Sequence, residues 1–164
     1  MKARRAISPV IATVIIVAVA IAISIAVAGW LFGLWGGFAG GSPAVSIPSA
    51  TVILDTTGAT PQVEAQLYVV NEGAGSDNIY KAELIVGGQT FNATLVTDGT
   101  NNADLTANET FTIEANSKGF IYVDFDSAAN AISPGDSVTI KVYFEKSGVV
   151  PVTAVVSSGT VTNT

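Results

Sequence analysis

The chain falls into two parts that differ in the spacing of their hydrophobic residues. From Ala6 to Trp35 there are thirty residues without a charge, and the apolar ones leave no polar stripe at helical spacing. A helix of that length measures about 45 Å and exceeds the roughly 30 Å hydrocarbon core of a bilayer. Because it is apolar on every side, such a helix must be buried all round, in lipid or among other helices.

After residue 44 the apolar residues alternate with polar ones, which is typical of β-strands. Gly, Asn, Asp and Pro fill the gaps between the runs, and no segment shows a convincing helical period. The runs lie near residues 45–54, 63–69, 80–86, 91–96, 111–113, 120–125, 138–144 and 150–161. The pattern predicts an α+β chain, in which a long hydrophobic N-terminal α-helix precedes an all-β, immunoglobulin-like antiparallel sandwich.

Glycines mark the junction between the two parts. Four of them, with Ser42 and Pro43, follow the apolar run and predict a flexible break. We therefore divide the chain into a basic leader (1–6), a hydrophobic helix (7–36), a Gly-rich hinge (37–43) and a β-sandwich domain (44–164). The uncharged final run, Val152–Val161, is expected inside its own sheet, with pairing between subunits as the alternative.

Charge is distributed unevenly along the chain. Lys2, Arg4 and Arg5 give the leader +3, whereas thirteen acidic residues and four lysines give the β-domain −9. The basic end should stay in the cytoplasm, so that the domain lies outside. A domain this acidic repels nucleic acid, and the chain has no Cys or His for a thiolate, imidazole base or Cys/His zinc site. We predict no nucleic-acid partner, no cofactor and no enzymatic activity.

The start of the helix and its small residues are distinctive. Ser8 is a good N-cap, and Pro9 suits the first helical position, where no amide donor is needed. Small residues recur every fourth position, which places each set on one helix face where backbones can approach closely. The two sets are Ala18, Ala22, Ala26 and Gly29, Gly33, Gly37.

Three interpretations of the N-terminal segment remain open on these grounds. A cleaved secretory signal peptide has an apolar region of about 7–15 residues, roughly half the length of this run. An uncleaved membrane anchor would carry the β-domain outside the cell. A prepilin helix would leave the membrane and pack with its copies in a filament.

Residues 4–13 read Arg-Arg-Ala-Ile-Ser-Pro-Val-Ile-Ala-Thr and resemble the start of archaeal type IV pilins. The resemblance implies cleavage between Ala6 and Ile7 by a prepilin peptidase. It further implies a precursor in the cytoplasmic membrane, an assembly machinery, and an extracellular helical homopolymer that adheres to surfaces or other cells. Bacterial type IV pilins carry Glu at the position of Ile11, so its assembly role does not carry over. Archaellin-like motility filaments and an anchored extracellular binding domain are the alternatives.

Three polar motifs remain in the β-domain. Asn92 and Asn108 open Asn-X-Thr sequons and are candidate N-glycosylation sites, Asn108 being better placed in a loop. Oxygen-bearing residues alternate at Asp98, Thr100, Asn102 and Asp104, but a calcium loop would also need a central Gly and a final Glu, and a solvated loop is expected instead. A further pair, Asp124 and Asp126, is expected on an exposed strand face without a hydrolytic role.

Overall fold

The computed structural model describes residues 9–39 and 41–162 and, within the helix, side chains up to Leu31. The chain forms two compact units, Met1–Gly41 and Ser42–Thr164. In its described residues the first holds one α-helix, and the second is a β-domain with its own core. Each is described by itself below.

Helix α1 spans Pro9–Ala39. Pro9 is its first described residue. Ile7 and Ser8 lie outside the described residues, so the start of the helix stays a prediction. The helix ends three residues later than the predicted boundary at residue 36, so the hinge does not begin at residue 37. Glycine costs a helix only about 1 kcal/mol relative to alanine and does not break it as proline does. Gly36 and Gly37 therefore stay helical.

The β-domain contains ten strands in its described part. They are β1 (Val45–Asp55), β2 (Gln62–Asn71), β3 (Asp77–Val86), β4 (Gln89–Asn92), β5 (Leu95–Thr97), β6 (Asn102–Asp104), β7 (Phe111–Ile113), β8 (Ser117–Asp124), β9 (Ser137–Phe144) and β10 (Gly148–Ser158). Two 3₁₀ turns, Leu105–Ala107 and Asp126–Ala128, complete it. The eight predicted runs all fall on strands, and the run near 91–96 divides between β4 and β5.

The strands form one mixed, curled sheet in the order β4-β3-β9-β10-β1-β2-β8-β5-β6, with β7 beside β3. Its two ends approach each other at the junction of β4 and β5. There Ala93 N–H donates to Ala82 of β3 at 2.9 Å, and Thr94 N–H donates to Asp124 of β8 at 3.0 Å. The predicted antiparallel immunoglobulin-like sandwich therefore needs correction: the sheet is a half-barrel, and β1 and β10 pair in parallel.

Proline shapes two of the long strands. Pro48 lies where the β1–β2 register shifts, between Ser46 and Ser49, because a residue without an amide donor is tolerated at a bulge. Strand β10 pairs with β9 through Gly148–Val155 and with β1 through Val156–Ser158. The final run thus lies inside its own sheet, and Pro151 offers no amide hydrogen for another strand.

Period-two alternation places one side of the sheet in the core. Along β2, Val63, Ala65, Leu67 and Val69 are at most 2 % exposed, while Gln66 and Tyr68 between them are partly exposed. Phe125, Ile79, Leu84 and Ile140 face the same core from other elements. Burying each large side chain stabilises the domain by about 1.5–3 kcal/mol.

Asn71, 1 % exposed, fastens the first residues of the β-domain. Its Oδ1 accepts hydrogen bonds from the backbone N–H groups of Ala44 (3.1 Å) and Gly73 (3.0 Å). Its Nδ2 donates to the carbonyls of Gly75 (2.8 Å) and Glu114 (2.9 Å). The end of the predicted hinge is therefore held to the domain by a buried side chain. We call these contacts the Asn71 staple.

Gly73 belongs to the same junction. A Cβ at this position would collide with the backbone of Ser42, Pro43 and Ala44. Glu72 N–H also donates to the Ala44 carbonyl at 3.1 Å. The absence of a side chain at Gly73 thus lets the incoming chain lie directly against the β2–β3 turn.

Candidate assembly helix and domain surface

The described side chains of the helix, up to Leu31, present an apolar surface. By length and composition Pro9–Leu31 can cross a membrane; its mean hydropathy is 3.1 and none of it is buried. Ile25 is 68 % exposed and Trp30 67 %. Water does not solvate such a surface favourably, so this segment needs lipid or other apolar helices around it.

The two hydroxyl side chains of the described helix are satisfied internally. Thr13 Oγ1 donates to the Val10 carbonyl at 2.9 Å, and Ser24 Oγ donates to the Ala20 carbonyl at 2.7 Å. Hydroxyls bonded to the preceding turn need no partner from water. These two residues therefore do not prevent burial of the helix in an apolar environment.

Four small residues of the helix share one face. Steps of four between Ala18, Ala22 and Ala26, and of three to Gly29, keep them within a quarter turn at 3.6 residues per turn. A Cβ added at Gly29 would meet no atom within 4 Å. The fold of the single chain does not require glycine there, although glycine costs helix stability.

Other predicted residues of the N-terminal segment are only partly described. Ala6, Ile7 and Ser8 lie outside the described residues, so the cleavage site and the N-cap remain predictions. Gly33 lies within α1.

The two sequons differ in their surroundings. Asn92 is the last residue of β4. Asn108 follows the first 3₁₀ turn in a left-handed conformation, with φ = 60°, which Asn tolerates better than most residues. Both asparagines are exposed, and both border one depression that is also lined by Tyr80, Lys81, Ala93, Leu105 and Thr106.

In the loop of residues 98–104, which was compared with a calcium loop, the carboxylates accept hydrogen bonds from the backbone of the loop and of the 3₁₀ turn that follows it. Asp98 Oδ1 accepts from the N–H groups of Thr100 (2.8 Å) and Asn101 (2.7 Å), and the backbone bond from Asn101 above all lowers the Asp98 pKa. Asp104 caps the first 3₁₀ turn and accepts from Thr106, whose hydroxyl lowers the Asp104 pKa. Within residues 9–39 and 41–162, no group of three or more acidic side chains is arranged to hold a metal ion.

A group of carboxylates lies where β2 and β8 pair. Glu64 and Asp124 are cross-strand neighbours, and Glu64 is fully buried. Its carboxylate accepts from Gln66 Nε2 (3.0 Å) and from the Thr162 N–H (3.1 Å). Asp55 accepts from the Val161 N–H at 3.2 Å, so the end of the described chain folds over these carboxylates.

The interpretation of Asp124 and Asp126 as an exposed strand pair is wrong. Strand β8 ends at Asp124, and Asp126 lies in the second 3₁₀ turn, where its Oδ1 accepts from the Val63 N–H at 3.1 Å. Asp124 is half-buried. Burial, reinforced by the negative charges of Asp126 and Glu64, raises the Asp124 pKa to about 7.

We expect Asp124→Asn to stabilise the domain at pH 8 and to leave its stability unchanged near pH 4. A folded-state pKa above the ordinary 3.8 means that the fold favours the protonated form. Stability is then lost as the pH rises from about 4 through 7. Solvent screening of this half-buried group limits the loss to about 1–2 kcal/mol. Urea unfolding of the full chain in detergent between pH 4 and 8 measures it.

The exposed Glu72→Gln is the matched control for loss of one negative charge and should keep the pH dependence of the parent chain. An Asp124→Asn chain with the same pH dependence as the parent would contradict the prediction.

The residues that the sequence did not single out are Asn71 and Glu64. Both occupy ordinary positions in a polar–apolar alternation, and their partners lie up to 98 positions away. An Asn followed by Glu-Gly marks a turn, but nothing local indicates that its side chain is buried.

Comparisons with known proteins assign no family. No protein-family model matches the chain, and no curated protein matches it. Among solved structures, one titled "Apo PCuAC domain from PmoF1" matches with a TM-score of 0.48 and 15 % sequence identity, covering 70 % of this chain and 94 % of that chain. The similarity is distant, and the function is argued below from the helix and the β-domain themselves.

Proposed function

We propose that this chain is the structural subunit of an archaeal type IV adhesion pilus. The precursor lies in the cytoplasmic membrane through α1, with its β-domain outside. A prepilin peptidase removes residues 1–6, and the assembly machinery transfers the helix from lipid into a bundle of identical helices. The subunit has no catalytic role, and the β-domain forms the filament surface that meets other surfaces or cells.

One observation carries the proposal: the helix keeps a continuous face of small residues that its own chain does not need. Gly29 faces open space and costs about 1 kcal/mol of helix stability, yet it extends the face of Ala18, Ala22 and Ala26. Small residues on one face allow the backbone of a second helix to approach closely. Together with the basic leader and Ser8-Pro9, it favours a prepilin helix.

An anchored extracellular binding domain is the second candidate. It is favoured by the length of Pro9–Leu31, which suffices for a membrane span without any assembly. The two candidates differ at the N-terminus, because a plain anchor keeps its basic leader.

We expect the mature protein to begin at Ile7. Intact-mass and N-terminal peptide measurements on protein from archaeal cells that make a prepilin peptidase test this directly. Replacing both Arg4 and Arg5 with Gln should leave the precursor uncut, because these basic residues lie one residue before the cleavage site between Ala6 and Ile7. The matched Lys2→Gln change should not affect processing. An unmodified start at Met1, or a cut beyond Gly29, would contradict the pilin proposal.

A further inference from the structure

The two sequons, 16 positions apart in sequence, meet across one surface depression. Asn92 and Asn108 lie at its rim, and Tyr80, Leu105 and Thr106 line it between them. Its volume is about 390 Å³, within the range of roughly 300–1,000 Å³ that small-molecule sites occupy. Tyr80 is 45 % exposed, so part of an aromatic ring is open to a ligand.

Backbone hydrogen bonds restrain the sequon that begins at Asn92. Its second residue, Ala93, donates to Ala82 at 2.9 Å. Its third, Thr94, donates to the Asp124 carbonyl from the backbone at 3.0 Å and from Oγ1 at 3.4 Å. The segment therefore belongs to the seam that joins β3 to β8, and it cannot change conformation without opening the sheet.

The sequon that begins at Asn108 is freer. Asn108, Glu109 and Thr110 are all exposed, and they follow a 3₁₀ turn outside the sheet. Glu109 bonds to Asp104, which ends β6 and caps the 3₁₀ turn: its N–H donates to the Asp104 carbonyl (3.1 Å), and its carboxylate accepts from the Asp104 N–H (2.9 Å). An enzyme acting on the folded domain can therefore reach this sequon without breaking strand pairing.

We propose that Asn108 carries an N-linked glycan whose first sugar occupies the depression against Tyr80 and Leu105, and that Asn92 stays unmodified in the folded domain. The donor is a polyprenyl-phosphate-linked oligosaccharide. Asn108 Nδ2 bonds to sugar C1, the C1–O bond to phosphate breaks, and the amide proton leaves as the phosphate departs with the bonding electrons. Export of the β-domain, part of the function proposed above, is required for this reaction.

A sugar suits the surface because both are amphipathic. The C–H face of a pyranose ring can cover the exposed ring of Tyr80 and the side chain of Leu105, which removes apolar area from water. Its hydroxyls then face polar groups of the rim, among them Thr106 and the free Asn92 amide. The glycan therefore buries apolar surface of the folded domain and should raise its free energy of unfolding.

The first test is peptide mapping of the full chain made in archaeal cells with an N-glycosylation system. We expect glycan on the Asn108 peptide and an unmodified Asn92 peptide. Thr110→Ala should abolish the modification while keeping Asn108 itself, and Thr94→Ala should not change its amount. A chain with bare Asn108 but a processed N-terminus overturns this proposal and leaves the pilin proposal intact; glycan on Asn92 alone also overturns it.

The second test asks whether the sugar occupies the depression. In detergent, the glycosylated chain should unfold about 3 °C above the Thr110→Ala chain, which corresponds to less than 1 kcal/mol. In a Tyr80→Ala background, the same comparison should give a difference near zero. An equal gain with and without Tyr80 would show that the glycan is attached but does not rest in the depression.

Discussion

Ala22→Leu should reduce the yield of filaments at least about tenfold, or change their helical symmetry, while the β-domain keeps its fold. Overpacking a close contact typically costs about 1–3 kcal/mol, and 1.4 kcal/mol corresponds to a factor of ten in an equilibrium constant. Ala22 lies at the centre of the small-residue face, so a larger side chain separates the helix from its neighbour. Electron microscopy of filaments from cells making the variant measures the effect.

Ala20→Leu provides the matched control. It adds the same volume to the opposite side of the helix, two residues from Ala22, and it barely changes helix propensity or hydropathy. We expect this variant to form filaments. Filaments of unchanged symmetry from Ala22→Leu would refute packing through the small-residue face, and filaments from residues 44–164 alone would refute a helix core altogether.

Asn71→Ala should lower the free energy of unfolding of the β-domain by about 4 kcal/mol. The change leaves two backbone donors and two carbonyls without the partner they have in the staple. A buried group left unsatisfied costs about 1–3 kcal/mol, and the lower end of this range applies because only the bond from Gly73 is fully buried. Urea unfolding of the full chain in detergent, followed by the circular dichroism of the strands, measures the loss.

Asn130→Ala is the comparison for the staple, because Asn130 is an exposed residue of the same type in a surface turn. The free energy of unfolding of the Asn130→Ala chain should stay within about 0.5 kcal/mol of that of the parent chain. A loss below 1 kcal/mol for Asn71→Ala would mean that water replaces the missing amide. The staple would then contribute little to the hold on residues 42–44.

Local patterns along the chain were sufficient to locate the helix and nearly all strands. The alternation from Val138 to Phe144 corresponds to β9, and the run near residues 45–54 corresponds to β1. The end of the helix was placed too early because glycine was treated as a helix breaker, although its cost is small beside that of proline.

Long-range pairing could not be predicted in the same way. Val52 of β1 pairs with Val156 of β10, more than one hundred residues later, and no local period encodes that partner or its parallel direction. Glu64 looks like a solvent-facing residue of an alternating strand. It is fully buried, and its carboxylate accepts a hydrogen bond from the backbone of Thr162, 98 positions later. Tertiary contacts of this kind decide strand order and the environment of single side chains.

The position of β1 at the entry to the β-domain has a mechanical consequence. The chain enters the domain at Ala44, and β1 begins one residue later. A pull applied at Ala44 along the direction of β1 therefore acts lengthwise on the pairing of β1 with β10 and with β2, with which β1 shares nine residue pairs. Hydrogen bonds between antiparallel strands lie perpendicular to the strands. Lengthwise pulling thus loads them together in shear, whereas a sideways pull would open them one at a time. A domain joined in this way resists extension along the axis of the load.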